Sequence, residues 1–346
     1  MQAHFKKLPL VLGLLTPLAY AQSQVSIYGT IDEYVGTVRS ATATAPASTA
    51  GVVNSGGMTT SYIGFRGSED LGGDLKAIFN LESFLRADTG VIGRNDADAF
   101  WGRLAIVGLE SKGWGSVTLG RHVTPYALVT GNFSPLTGST TFSPSFATVF
   151  KGNVQGDTRM NNSVRYVTPN WGGFVVDSLY SFGSEISSGP NAHQNRAFDG
   201  SVRYEGNRWS VAAATRQIDL NTNSNGRKQK SYMVAASYDF GVAQLYAQAH
   251  DSRETFAGNS SLDVKRRAYE VSAGVPLGPG KLGLAYAYSS IRDINPTTPD
   301  RRRVWSVSYD YYLSKRTDLY AAAYRDLQSN PMIEQRILAL GMRHRF

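Results

Sequence analysis

Segments in which apolar and polar residues alternate one by one recur along nearly the whole chain. Residues 25–32 alternate in this way, and residues 231–239 and 304–311 repeat the pattern, with one face mostly apolar and the other small or polar. A two-residue period is typical of a β-strand that lies between two different environments. Beyond the N-terminal 21 residues, no apolar run approaches the length of a membrane-spanning helix. The chain is therefore expected to be built from two-faced strands.

The connections between these segments alternate between short and long. The short ones, most of them rich in turn-forming residues, are 69–73, 112–115, 170–173, 205–208, 239–241, 276–280 and 314–317. The long ones are 40–58, 88–98, 125–158, 184–196, 220–230, 254–263, 293–301 and 329–335. Seven short and eight long connections separate sixteen strands. This pattern predicts an all-β fold, a sixteen-stranded antiparallel transmembrane β-barrel, because a soluble sandwich would not sort its connections by length so regularly.

The C-terminal segment favours a closed barrel. Leu338 and Leu340 alternate with Arg343 and Arg345 across the strand positions, and the chain ends on Phe346. An amphipathic edge strand of a soluble sheet would need shielding, whereas pairing with the first strand removes the edge. Aromatic residues around the turn at 314–317 are interpreted as an interfacial girdle; they are Tyr309, Tyr311, Tyr312, Tyr320 and Tyr324.

The third long connection, 125–158, is the longest interruption of the strand pattern. Insertions of this length in a regular array of hairpins are uncommon and usually functional. We expect it to fold inward and to narrow a water-filled lumen, since a barrel of this width leaves an aqueous channel. Its four phenylalanines are expected to pack the loop against the wall, with a path for apolar solutes as the alternative; they are Phe133, Phe142, Phe146 and Phe150.

The N-terminus has the features of a secretory signal peptide, residues 1–21. Lys6 and Lys7 precede a short apolar run, and a small-x-small site ends at Ala21. The run is too short, and too interrupted by proline, to act as a membrane anchor. Cleavage after Ala21 would leave 22–346 as the barrel domain, exported to the outer membrane and surrounded by its lipid.

Composition argues against several other classes of protein. The chain has no cysteine, which excludes disulfide scaffolds and thiolate sites. Its five histidines match no metal-binding pattern, and no nucleophile elbow is present. We therefore predict no catalytic residue, no metal and no cofactor. The net charge of +8 is spread along the chain, which favours small acidic solutes over nucleic acid as partners.

Several segments resemble the general, non-specific porins of Gram-negative bacteria, in particular the betaproteobacterial and neisserial type. They are VSIYGTID at 25–32, IGFRGSEDLGG at 63–73, VTLGR at 117–121, NSVRY at 162–166, PNWGGF at 169–174 and GMRHRF at 341–346. The resemblance implies a homotrimer of barrels whose third loop folds inward and which passes small hydrophilic solutes and ions passively. It also implies basic residues on the wall at the constriction, commonly facing acidic residues on that loop.

Three arginines are assigned to the pore by strand position or by this resemblance. Arg103, in a predicted strand over 99–111, and Arg159 fall where similar porins carry constriction arginines. Arg165 shares the face of Arg159 in a regular strand. A position at the headgroup rim or in a local ion pair is the alternative for all three. Arg121, at the root of the loop, is equally compatible with tethering the loop and with lining the pore.

The charges expected near the constriction predict a mild preference for anions. The loop contains one acid, Asp157, to oppose the wall arginines. Tyr62 stands where related porins often have an arginine, which weakens the preference. Asp32 and Glu82, both on the predicted lumen face, weaken it further.

The function predicted from the sequence is passive diffusion through an outer-membrane pore. Three alternatives remain open at this point. One is a channel specific for a single substrate, and the second is an adhesin or receptor that acts through its long loops. The third is a barrel enzyme such as a phospholipase or protease, which the sparse histidines disfavour.

Overall fold

The computed structural model describes residues 24–185, 194–220, 226–293, 300–329 and 332–346. The predicted signal peptide, 1–21, lies outside these residues, as do parts of the predicted connections 184–196, 220–230, 293–301 and 329–335. Within the described ranges, no helix is long and apolar enough to cross a membrane.

Strands dominate the described residues, with two short α-helices and one 3-10 helix. The strands are β1 Gln24–Thr42, β2 Ser48–Ser55, β3 Tyr62–Gly72, β4 Leu75–Arg86, β5 Val91–Ile92, β6 Leu104–Ser111, β7 Gly115–Val123, β8 Arg159–Val167, β9 Phe174–Ser181, β10 Ala197–Glu205, β11 Trp209–Asp219, β12 Lys228–Asp239, β13 Gln244–Thr255, β14 Val264–Leu277, β15 Gly280–Asp293, β16 Asp300–Tyr312, β17 Thr317–Ser329 and β18 Met332–Arg345. The helices are α1 Pro125–Asn132, α2 Pro144–Phe150 and the 3-10 helix Ser260–Leu262.

All strands except β2 and β5 form one closed antiparallel wall. Neighbours in sequence pair with each other, and β1 also pairs with β18, from Thr30 opposite Arg345 to Thr42 opposite Ile333. Closure leaves no free edge for pairing with another chain. The prediction of a sixteen-stranded antiparallel β-barrel is confirmed.

Two predicted strand boundaries were wrong. The connection predicted at 40–58 contains β2, which pairs with β1 from Glu33 to Ser40. The small and polar residues of β2 show no clear alternation, so only backbone pairing with β1 defines β2 as a strand. The strand predicted over 99–111 begins at Leu104.

The loop at 125–158 is not without secondary structure, because it contains α1 and α2. Each helix starts with proline directly after a capping residue. The Thr124 hydroxyl accepts the N–H of Ala127, and the Ser143 hydroxyl accepts the N–H of Phe146. The Thr-Pro and Ser-Pro pairs are helix-start signals that the sequence contains. They did not lead to a prediction of helices because the residues after them show no apolar repeat of helical period.

The two faces of the wall differ as the alternation predicts. In β12, Val234 is 60% exposed, whereas Met233 and Ala235 on either side are 3% and 5% exposed. Apolar side chains point outward and small or polar ones point inward. Tyr320 and Tyr324 point inward and are 4% and 2% exposed, so the prediction that they belong to the aromatic girdle was wrong.

The segment 125–158 packs against the inward face of the wall. Tyr126 and Val129 contact a cluster that includes Ala212 and Met233, and α2 contacts β14, β15 and β16. Farther along, Phe142 packs with Tyr34, Tyr320 and Tyr324 of β1 and β17. A segment that contacts the same face of strands from β10 to β17 and β1 of a closed ring lies within that ring.

Candidate functional site

Arg103 lies on the part of the inner wall that the loop leaves uncovered. Its guanidinium forms an ion pair with Glu82 and lies 3.7 Å from the ring centre of Tyr62. Arg103 precedes β6, so the inward or outward alternation of that strand does not determine its direction. This explains why Arg103 reaches the inner face although Ala105 and Val107 share its parity.

Arg159 lies beside Arg103, and no carboxylate in the described part of the chain is within ion-pair distance of it. Its Nε donates to the carbonyl oxygen of Arg103 at 2.8 Å, and its Nη1 donates to the Thr158 hydroxyl at 2.9 Å. The guanidinium lies 4.7 Å from the ring centre of Phe84. Among the described residues, Arg159 forms no ion pair, although it is close enough to Asp157 for the two charges to act on each other.

Asp157, the only acid of the loop, is held by arginines. Arg94 donates to both of its carboxylate oxygens, at 3.1 and 2.9 Å, and Arg121 lies at 3.2 Å. Burial favours a raised pKa for Asp157, but the hydrogen bonds and charge of Arg94, with the charges of Arg159 and Arg121, outweigh it and lower the pKa. Arg94 also pairs with Asp98, whose pKa is lowered by that hydrogen bond.

Arg94 was not identified from the sequence. The available signal was its spacing from Asp98, an arginine and an acid four residues apart within a long connection. That spacing predicts a local ion pair, but it does not predict that the connection 88–98 reaches the inserted loop.

Arg121 occupies an irregularity between β7 and β8. The pairing shifts between Gly120 and His122, and Gly120 has a φ of +128°. Such a bulge redirects a side chain relative to the regular alternation. Arg121 therefore reaches the carbonyl oxygen of Gly102 at 2.7 Å as well as Asp157 of the loop. Its contact with Asp157 supports the tethering alternative.

Arg165 lies apart from these arginines. It makes a two-fold hydrogen-bonded ion pair with Asp177, at 2.8 and 2.6 Å. The face that it was predicted to share with Arg159 is interrupted, because Asn162 has a φ of +49° and the β7–β8 pairing is irregular there. Arg165 points inward but does not join the cluster around Asp157.

Asp32 points inward, yet its side chain does not face the open lumen. It is fully buried and accepts hydrogen bonds from the N–H groups of Gly57 and Thr59 at 3.1 and 2.6 Å and from the Tyr320 hydroxyl. The segment after β2 covers it. The prediction that its charge acts on passing ions is therefore not supported by this geometry, and Asp32 instead anchors the chain near Gly57.

A fully buried ion pair fastens both roots of the loop to the wall. Arg216 of β11 and Asp199 of β10 lie opposite each other, with Nε 2.7 Å from the carboxylate, and both side chains are 0% exposed. Arg216 also donates to the carbonyl oxygen of Asp157 at 3.1 Å and to the Thr124 hydroxyl. Asp199 accepts the N–H of Tyr126 at 2.7 Å. The sequence pattern did not single out this pair, although both residues have inward parity on neighbouring strands.

The far end of the loop is fastened as well. The Ser139 hydroxyl donates to the carbonyl oxygen of Gly57, and the Thr141 hydroxyl donates to that of Gly56, each at 2.7 Å. Phe142 is fully buried next to these contacts, as the packing interpretation predicts. The loop is therefore fixed at its roots and at its far end.

Comparison with known proteins agrees with this architecture. The family model described as Gram-negative porin matches residues 10–331. The chain is 31% identical to outer membrane porin protein 32 of Delftia acidovorans, over 87% of this chain and 83% of that one. It is 29% identical to an outer membrane porin protein of Bordetella pertussis, over 95% and 96% of the two chains.

A solved structure is similar over nearly the same extent. The anion-selective porin from Comamonas acidovorans superposes with a TM-score of 0.80 at 26% identity, and the match covers 94% of this chain and 100% of that one. The family match and the closed barrel together place the protein in the outer membrane. The chain belongs to the Gram-negative porin family.

Proposed function

We propose that the protein is a passive diffusion channel for small hydrophilic solutes and ions, with a mild preference for anions. The fold and family are those of a channel. In this proposal the loop 125–158 sets the bore and the arginines beside it set the charge, with no chemical step. The observation that carries the proposal is the imbalance of charge on the uncovered part of the inner wall.

The two acids that contact the wall arginines are both paired, whereas two arginines are not. Glu82 pairs with Arg103, and Asp157 with Arg94 and Arg121. Among the described residues, Arg159 and Arg66 form no ion pair, and Arg66 lies over the ring of Tyr28 at 4.7 Å.

Uncompensated charge at a narrow point selects ions by sign, so the excess positive charge favours anions. The similar porin from Comamonas acidovorans carries the description anion-selective, which points in the same direction for this chain.

The proposal is tested by the reversal potential of Arg159→Gln in a planar bilayer under a salt gradient. A unit charge about 8 Å from an ion in water changes its energy by about 0.5 kcal/mol. The change has opposite signs for anions and cations, so the anion-to-cation permeability ratio should fall by about sixfold before salt screening. Measurements at low salt therefore give the clearest result.

Arg196→Gln is the matched control. Arg196 precedes β10, has a side chain 47% exposed and pairs with Asp219, on the outward side of β11. The substitution Arg196→Gln removes one positive charge from the protein, as Arg159→Gln does, but leaves the inner wall unchanged. We therefore expect no change in reversal potential. Cation preference in the wild type, or equal shifts in the two variants, would overturn the proposal.

We also propose that the channel is a homotrimer. Glu33 lies on the outward face of β1 between Ile31 and Val35 and is half-buried. A charged side chain facing lipid is unfavourable, so this part of the outer wall is better placed against protein. Sedimentation of the detergent-solubilised protein should give a trimer, and a monomer at all concentrations would contradict the proposal.

A further inference from the structure

The outer face of the barrel carries a row of basic side chains at the long-loop ends of β12 to β15. Lys230, Arg253, Lys265 and Arg292 occupy outward positions on these four neighbouring strands, and all four are exposed. We call them the basic row. Each member lies directly opposite the next in the strand register, so the row runs around the barrel at one level.

This alignment of like charges is electrostatically unfavourable unless an anion lies against it. Directly opposed side chains on one face lie about 5 Å apart at Cβ, and like charges in that arrangement destabilise a sheet. Four strands at about 4.8 Å spacing make the row about 14 Å wide. Such a row can contact more than one phosphate group of a single ligand.

The protein supplies little negative charge to this row. Asp263 pairs with Arg253 at 2.9 Å, and among the described residues Lys230, Lys265 and Arg292 form no ion pair. The only outward acid in the described part of β12 to β16 is Asp251, which pairs with Arg267 at 2.9 Å. The adjacent segments outside the described residues, 221–225 and 294–299, contain no acidic residue.

The opposite halves of the same strands differ in charge. Toward the short turns, the described outward positions of β12 to β16 include Leu245, Val275 and Tyr309 but no lysine or arginine. Close to the basic row on its apolar side lie the outward aromatics Tyr232 and Tyr269, which are 52% and 46% exposed. Aromatic residues of this kind lie at the boundary of the hydrocarbon layer. The basic row therefore lies at headgroup depth, on the long-loop side only.

We propose that the basic row binds the phosphate groups of an anionic lipid in the leaflet on the long-loop side. Long loops of outer-membrane barrels are extracellular, so this is the outer leaflet. Arginine and lysine contact phosphate oxygens with charge-assisted hydrogen bonds. Arg301 and Arg303, on outward positions of β16, extend the positive surface at the neighbouring strand. The basic row lies on the outer face, so lipid binding there is independent of the ion preference of the pore.

The test measures lipid binding to the full-length, delipidated protein in neutral detergent by native mass spectrometry. The probes are bisphosphorylated lipid A and the same lipid without its phosphates, with inorganic phosphate as a competitor. The row variant combines Lys230→Gln, Arg253→Gln, Lys265→Gln and Arg292→Gln. The matched control removes four exposed positive charges at the short-turn end; it combines Lys112→Gln, Arg208→Gln, Lys315→Gln and Arg316→Gln.

We expect the wild type and the control to bind bisphosphorylated lipid A at least tenfold more tightly than the dephosphorylated form. The row variant should lose on the order of 10- to 100-fold in affinity, since each basic residue near an anionic surface contributes a modest, additive attraction. Lys230→Arg with Lys265→Arg should retain binding. If the row variant does not fold, as judged by migration without heating, Lys230→Gln with Lys265→Gln replaces it and should lose about half of that effect on a logarithmic scale.

Three results would overturn the proposal. The first is an equal loss of affinity for bisphosphorylated lipid A in the row variant and the control, which would mean that only the total charge of the protein matters. The second is equal affinity for the two lipids, and the third is displacement of the lipid by inorganic phosphate at an equal phosphate concentration.

Discussion

Replacing Arg216 by methionine should release the inserted loop while leaving the barrel wall intact. Arg216 and Asp199 are both 0% exposed, and their pair contacts Thr124, Tyr126 and Asp157 at the two roots of the loop. Methionine retains much of the side-chain volume but provides no donor. Asp199 then stays as a buried charge that has lost its cationic partner and keeps the hydrogen bond from the N–H of Tyr126.

The size of the effect follows from the complete burial of the pair. Breaking a buried ion pair by removing one partner costs about 3–5 kcal/mol. This cost falls on docking of the loop, because the β10–β11 backbone pairing does not depend on the side chain. At about 1.4 kcal/mol per factor of ten, the fraction of undocked loop should rise by about two to nearly four powers of ten.

A single cysteine can report the undocked fraction, because the chain has none of its own. Ala127 of α1 is 3% exposed, so the thiol of Ala127→Cys reacts with a small water-soluble reagent only when the loop opens. In an Ala127→Cys background, Arg216→Met should raise the labelling rate by at least 100-fold and increase the current noise of single channels. Arg196→Met breaks the partly exposed pair of Arg196 and Asp219, worth about 0–1 kcal/mol, and should leave the rate nearly unchanged.

Equal labelling rates in Arg216→Met and its parent would refute the reasoning. They would show that the contacts at the far end of the loop hold it without the buried pair. Equal increases in labelling rate in Arg216→Met and Arg196→Met would instead show that the loss of a positive charge, and not the position of the ion pair, controls docking of the loop.

Two further predictions concern the loop. Asp157→Asn should raise the anion preference at pH 7 by removing the partner of Arg94 and Arg121. Because the folded pKa of Asp157 is lowered, its ion pairs are fully present above the ordinary aspartate range and are lost only as pH falls below it. The difference in reversal potential between variant and wild type should thus persist at about pH 4; halving of this difference there would contradict the assignment. Phe142→Ala should weaken loop docking by about 3–5 kcal/mol, because Phe142 is fully buried, and Phe146→Ala should cost less, because Phe146 is partly exposed. The temperature at which channel noise increases measures the effect of each substitution. Equal effects of the two would contradict this packing of the loop.

The sequence alone determined the wall of the barrel. A two-residue period assigns each side chain to a face, and short turns rich in glycine, proline, asparagine and aspartate mark strand ends, so both signals are local. The glycine-rich segment 278–283 is an example, because its first two residues form the turn between β14 and β15 and the other four begin β15 instead of a helix. Closure of β1 on β18 also followed, since the terminal strand has two distinct faces and no shielding.

Only the tertiary structure decided which inward charges face open water. Asp32 has the expected parity, but the chain after β2 covers it, and Arg121 reaches the loop only because a bulge redirects it. Arg216 and Asp199 are ordinary inward residues until the loop lies over them. Strand periodicity sets the direction of a side chain, whereas its partner depends on what folds across the lumen, and that contact joins residues far apart in sequence.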